Sequence, residues 1–248
     1  MSAFPTLWKR EMGAAFRTPV AYVAGTVFLL VTGTAFWMLA LRLSREPSDA
    51  TMASLLFGSP WLWLALLLAT PLLTMRLFAE EYRMGTMETL MTAPVTETEV
   101  VLAKFAGAYS TFLLLWIPTL AYGPLLAWSG APLDPAAWGP VGVAYLGIAL
   151  IGAPFIAAGL LCSLLTRHQM VAAMLCLAVL GLLLTAGELA RQVPAGPLRP
   201  VSVLLSIPRH MDDFAAGVID SRTVLWHASA AVLLLFASIR LLEARRLR

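Results

Sequence analysis

Six long apolar runs limit what this chain can fold into. They lie at Val20–Leu41, Pro60–Phe78, Ala103–Trp128, Val141–Leu165, Met170–Gly187 and Thr223–Leu242. A helix needs about 20 mostly apolar residues to span a bilayer, and each run is close to that length or longer. Together they occupy most of the 248 residues, which leaves no room for a separate soluble domain. Charged residues make up 12% of the chain, about half the share usual in a soluble domain. The expected fold is an all-α membrane protein with six transmembrane helices. No cleavable signal peptide is expected, because the first apolar run is too long for a signal core. Cys162 and Cys176 fall inside the fourth and fifth runs and read as packing residues rather than a redox pair.

Lys and Arg near span ends set membrane orientation, with the excess on the cytoplasmic side. Lys9, Arg10, Arg17, Arg76, Arg83, Lys104, Arg167, Arg240, Arg245, Arg246 and Arg248 fall on one side. Arg42, Arg45, Arg191, Arg199, Arg209 and Arg222 fall on the other. The imbalance predicts that both termini are cytoplasmic. No basic patch of the size nucleic-acid binding requires is present.

Residues 1–18 form a distinct unit ahead of the first span. Phe4, Leu7, Trp8, Met12 and Phe16 recur at helical spacing on one face, with Lys9, Arg10 and Arg17 opposite. That pattern predicts an amphipathic helix in the membrane interface, in contact with lipid. Thr18-Pro19 separates it from the first span, because the residue before a proline is pushed out of the helical region. Pro71, Pro118, Pro124 and Pro154 are expected to kink spans. Gly147, Gly152, Ala153, Ala157, Ala158 and Gly159 give span four a face of small residues for close packing, expected within the chain. The longest external loop, 188–222, ends in a short amphipathic helix that stops near Gly217. His210, Asp212, Asp213 and Asp220 there match no metal-ligand spacing; no metal is expected, and His227 is expected at the membrane interface.

Ionisable side chains are nearly absent from the apolar runs, with Lys104 and Glu188 at their edges. Ion-coupled carriers and channels generally need such groups inside the bundle. The chain also has no G-x-x-x-x-G-K-[ST] phosphate loop, no H-E-x-x-H and no G-x-S-x-G. It is not expected to be an enzyme, and energy for any transport must come from another polypeptide.

Charge instead concentrates between the second and third spans, in segment 76–100. Glu80, Glu81, Arg83 and Glu88 lie there within nine residues. The span-two helix is expected to continue through Arg83, with Arg76 and Glu80 paired at i, i+4. Gly85 is placed to end that helix, and Thr86 to cap a second short one, Met87–Met91, stopped by Pro94. Thr96-Glu97-Thr98-Glu99 is a capping-box pattern that starts the next helix. Two short hinged helices with exposed carboxylates and a methionine-rich edge suit docking into a groove on a cytoplasmic protein.

These residues resemble a known family. Met75-Arg76-x-Phe78-Ala79-Glu80-Glu81-x-x-x-Gly85-Thr86-Met87-Glu88-x-Leu90-Met91-Thr92-x-Pro94-Val95, followed by Val101-x-x-Lys104-Phe105, resembles the permease subunits of ABC-2 type transporters. Lys9-Arg10-Glu11 and Phe16-Arg17-Thr18-Pro19-Val20-Ala21-Tyr22-Val23 resemble the N-terminus of their gliding-motility branch. Phe214-x-x-Gly217-Val218-Ile219-Asp220 and Leu242-Glu243-Ala244-Arg245-Arg246 resemble that branch's last external loop and tail. The resemblance implies a type V exporter-like fold over residues 19–248, with an N-terminal interfacial helix and a cytoplasmic coupling helix between spans two and three. It implies a bacterial inner-membrane protein that works as a dimer, with a second permease copy or a paralogue. A separate cytoplasmic ATPase would bind ATP and Mg, no cofactor would be held by this chain, and an accessory protein with an external domain would fit the same system. Glu80, Glu81, Gly85, Thr86 and Glu88 would contact the ATPase. The expected function is export of an unidentified substrate. A non-transporting membrane scaffold, or an ion-coupled carrier, are the alternatives.

Overall fold

The computed structural model describes residues 4–45, 52–87, 95–128, 138–191 and 205–246, which are helical almost throughout. In chain order the helices are α1 (Phe4–Arg17), α2 (Pro19–Arg45), α3 (Met52–Phe57), α4 (Pro60–Thr74), α5 (Ala79–Met84), α6 (Glu97–Trp116), α7 (Tyr122–Trp128), α8 (Trp138–Leu165), α9 (Gln169–Arg191), α10 (Ile207–Ala215) and α11 (Ser221–Arg246). Among the described residues, five stretches are long and apolar enough to cross a membrane: Pro19–Leu43, Pro60–Met84, Glu97–Trp128, Trp138–Leu165 and Ser221–Arg245. The fifth apolar run of the sequence lies in α9, where Gln169–Thr185 is a shorter apolar helix.

Helix α8 is the central post. Ile148, Ile151, Phe155, Ile156, Leu160 and Leu164 are all buried along it, and α11, α9, α10, α4 and α6 pack around it. Its small residues admit bulky neighbours from these helices, as expected. A Cβ at Gly147 would lie 2.6 Å from the Phe214 ring, and one at Gly152 or Gly159 would collide with Phe112 or Thr74. Thr74 contacts α8 near its end and Phe214 contacts it near its start, so α5 and α10 belong to opposite ends of the bundle. Cys162 and Cys176 are free and buried, and both pack in the main apolar cluster.

Local sequence sets several helix ends. The Thr96 hydroxyl accepts from Glu99 N at 3.2 Å, and the Glu99 carboxylate accepts from Thr96 N at 3.2 Å. This reciprocal pair starts α6 at Glu97, as the capping-box pattern predicts, and satisfies donors that the first turn would otherwise strand. Thr18 stands alone between α1 and α2, its N–H and hydroxyl both donating to the Ala15 carbonyl. Gly217 closes α10 at φ 81, where a glycine avoids the steric cost of a side chain.

Two expectations change and one holds. The span-two helix is not continuous through Arg83: α4 stops at Thr74, and residues 75–78 turn before α5. Span three starts at Glu97, as the capping box predicts, and is interrupted at Pro118, as expected, by a 3-10 turn at Pro118–Ala121 before α7. There a missing proline N–H interrupts the helical ladder. His227 is fully buried rather than interfacial. Its ring packs edge-on against His210 and Trp226, with centroids 5.3 and 4.8 Å away. His210 sits outside the spans on α10, and burial pulls its pKa below the ordinary value, against the raising effect of Asp213 and Asp220 and with a small lowering effect of Arg209.

Candidate coupling site

The turn between α4 and α5 is built on one side chain of α8. Leaving the α-helix at Thr74 strands backbone groups that water cannot reach. The buried Ser163 hydroxyl accepts from Phe78 N at 3.0 Å and from Ala79 N at 3.1 Å. It donates to the Met75 carbonyl at 3.0 Å. A hydroxyl offers one donor and two acceptor sites, and here all three are used. Each buried backbone group left unpaired would cost roughly 1–3 kcal/mol, so Ser163 fixes where the helix breaks and where α5 begins.

Six residues later Gly85 ends α5 in the left-handed region at φ 69, its N–H donating to Glu81 and Tyr82 carbonyls. The Thr86 hydroxyl also donates to the Glu81 carbonyl. The expected C-terminal glycine cap is therefore present. Of the second short helix only Thr86 and Met87 are described; both are helical and Met87 is buried, while Glu88 and the rest lie outside the described residues. Arg83, Met84, Gly85 and Thr86 are exposed, with Met84 at 60%. They form the apex of the segment.

The carboxylates expected on its surface are engaged. Glu80 takes Arg76 side-on, with Nε–Oε2 at 2.8 Å and Nη2–Oε1 at 3.0 Å. This is the predicted i, i+4 pair. Glu81 points inward to Lys104, whose Nζ lies 2.8 Å from Glu81 Oε1 and 3.2 Å from Glu11 Oε1. Arg10 completes the cluster, at 3.0 Å from Glu11 and 3.8 Å from Glu81. Lys104 is only 3% exposed and lies 5.3 Å from the centre of the Phe78 ring. Lys104 keeps its expected place near the edge of span three, but its charge is buried within the protein. It is tolerated because two carboxylates neutralise it.

Three elements meet at this lysine: α1 through Glu11, α5 through Glu81, and α6 through Lys104 itself. Helix α1 can approach because Gly107 has no side chain; a Cβ there would lie 2.8 Å from Glu11 Cβ. The indole of Trp8 donates to Ser110 at 3.3 Å, and Met12 Sδ lies 3.7 Å from the Thr111 hydroxyl, which donates to the Gly107 carbonyl at 2.9 Å. Of the predicted membrane-facing set, Phe4, Leu7, Trp8 and Met12 are half-buried and Phe16 is exposed. The apolar stripe of α1 therefore turns largely onto span three.

A family model described as ABC-2 family transporter protein matches residues 62–203, more than half of the chain. The chain belongs to the ABC-2 transporter family. No curated protein matches it. As a member of that family it is an integral membrane transport subunit, not itself catalytic, and the family implies a separate ATPase subunit. The matched residues include Glu80, Glu81, Gly85, Thr86, Lys104 and Ser163 but stop short of Arg10 and Glu11, so the cluster joins the family segment to the helix that precedes it.

Sequence reasoning placed Glu80, Glu81, Gly85 and Thr86 on one short segment, and the structure keeps them there. It missed Lys104 as the centre of the cluster, along with Glu11, Arg10 and Ser163. The one available signal was Lys104, a lone cation inside an otherwise apolar helix. Ser163 offered none.

Proposed function

We propose that this chain is the permease subunit of an ATP-driven ABC exporter, and that α5 with its exposed apex receives the motion of the ATPase. The observation that carries the reading is the anchoring of α5. One short helix presents four exposed residues outward and is held from behind by Ser163 of α8 and by Lys104 of α6. A push on the apex reaches two spans and α1 through short polar contacts, and only contacts that differ between two states can drive such a change. In this reading both termini and α5 are cytoplasmic, as the Lys and Arg distribution favours, and α9 completes six spans in a bacterial inner membrane. ATP and Mg reside in the ATPase, and two permeases assemble with two ATPases. The softer matches at the N-terminus and tail favour the gliding-motility branch.

The engaged state of Glu81 shifts the partner contact toward Arg83, Met84, Gly85 and Thr86, with Glu80 at its edge. Met84→Glu combined with Arg83→Glu changes exposed positions alone. The pair is expected to lower permease-stimulated ATP hydrolysis by at least ten-fold while the thermal midpoint of the permease stays unchanged. Full stimulation in this variant, or failure of any ATPase to co-purify with the unaltered chain, refutes the reading.

A further inference from the structure

The seam between α1 and the ends of α2 and α4 encloses a cavity of about 660 Å³, within the range of roughly 300–1,000 Å³ typical of ligand sites. Its polarity is ordered along the bundle axis. Arg10, Arg76, Glu80 and Glu81 line one end, and Leu72, Leu73, Val20 and Ala21 line the wall. Leu72 and Leu73 lie in the last turn of α4 and Arg76 in the turn that follows it, so the apolar wall runs from the charged end along the span.

The charges of this cavity balance. Arg10, Arg76 and Lys104 face Glu11, Glu80 and Glu81. A bare anion entering here meets three carboxylates, and a bare cation meets three basic groups. A group that carries both signs meets a partner for each. Water-soluble zwitterions do not need the apolar wall, whereas a membrane lipid does. The half-exposed Arg10 and the partly exposed Arg76–Glu80 pair leave charge available at the mouth.

We infer that this cavity binds a zwitterionic glycerophospholipid of the phosphatidylethanolamine type. Its phosphate lies against Arg10 and Arg76, its ammonium against Glu80 of the partly exposed Arg76–Glu80 pair, and its acyl chains along Leu72, Leu73 and Val20. The lipid sits where α1, α2 and α4 meet, and its headgroup bridges α1 to α5. The cavity shares Glu80, Met84 and Thr86 with the proposed ATPase contact, but recognition of the lipid needs no nucleotide.

The test uses the full chain in nanodiscs of equal phosphatidylethanolamine and phosphatidylglycerol, read by native mass spectrometry without nucleotide. Phosphatidylethanolamine is expected to be retained at least ten-fold over phosphatidylglycerol. Ala14→Trp fills the cavity from an exposed position of α1 and is expected to lower that retention at least five-fold at an unchanged thermal midpoint; Arg76→Gln is expected to lower it as well. Equal retention of the two lipids, preference for phosphatidylglycerol, or retention unaffected by Ala14→Trp overturns the inference. Displacement of the lipid by inorganic phosphate assigns the site to a free anion, and displacement by added ATPase assigns it to protein; either overturns it too. Because lipid retention is read without hydrolysis, its failure and the failure of the ATPase-docking reading are separate results.

Discussion

Lys104→Met removes the ammonium group that holds α1, α5 and α6 together and keeps a side chain of similar length. The lysine is 3% exposed, and the Glu81 and Glu11 side chains it joins are 19% and 14% exposed. Breaking a buried pair by removing one partner costs about 3–5 kcal/mol, because the other charge stays buried. Arg10 still reaches Glu11 at 3.0 Å, which places the expected loss near the lower end, about 3 kcal/mol. At about 2–4 °C per kcal/mol for a chain of this size, the thermal midpoint falls by about 6–12 °C. Glu81→Gln added to Lys104→Met removes the stranded carboxylate and leaves Glu11 with Arg10. The double variant is expected to recover about 2 kcal/mol of the loss, since replacing a whole buried ion pair by neutral groups is often close to neutral. Tryptophan-fluorescence melts of the wild type, both single variants and the double in one nanodisc composition complete the cycle. A coupling of at least about 1.5 kcal/mol is expected for residues in one ion-pair network. Losses that add within about 0.5 kcal/mol, or a Lys104→Met midpoint equal to that of the wild type, refute the argument that this lysine is held by its two carboxylates.

Two further outcomes follow from side chains at opposite ends of α8. Ser163→Ala leaves Phe78 N, Ala79 N and the Met75 carbonyl without their partner, at a cost of about 2–4 kcal/mol; limited proteolysis is expected to cut between residues 75 and 87 faster, and an unchanged rate speaks against the clamp. At the other end, burial depresses the His210 pKa, so below about pH 6.5 the unfolded chain binds more protons than the folded one. Stability is therefore present at neutral pH and falls as the pH drops past that point. His210→Leu is expected to flatten the dependence of the thermal midpoint on pH, and a slope equal to that of the wild type refutes the assignment.

Features governed by near neighbours were legible in the sequence. The Thr96–Glu99 cap, the Thr18-Pro19 break, the glycine ends of α5 and α10 and the Arg76–Glu80 pair each depend on residues within four positions of one another. Apolar length marked the five stretches that can cross a membrane among the described residues, and also a sixth run, in α9, whose apolar helix is shorter. The centre of the coupling site depended on distant partners instead. Lys104 meets Glu81 across 23 positions and Glu11 across 93. Glu81 looked like a surface carboxylate because nothing local shows which way its side chain turns. Ser163 is one hydroxyl in an apolar helix, and in most such helices that hydroxyl bonds its own preceding turn. Here the helix break beside it supplies better partners. His227 was misplaced for a related reason: its ring meets His210 of α10, and its helix packs along α8, neither of which is a near neighbour in sequence.

Ser163 also sets an order of events during synthesis. The groups it satisfies at Met75, Phe78 and Ala79 precede it by 88, 85 and 84 positions. A ribosome adding about 5–20 residues per second makes them roughly 4–18 s before their partner exists. Throughout that interval the turn between α4 and α5 has no internal means of closing. A nascent or truncated chain ending ahead of residue 163 thus carries the residues of α5 without the clamp that shapes them. The turn that carries α5 matures only when the fourth long apolar helix arrives.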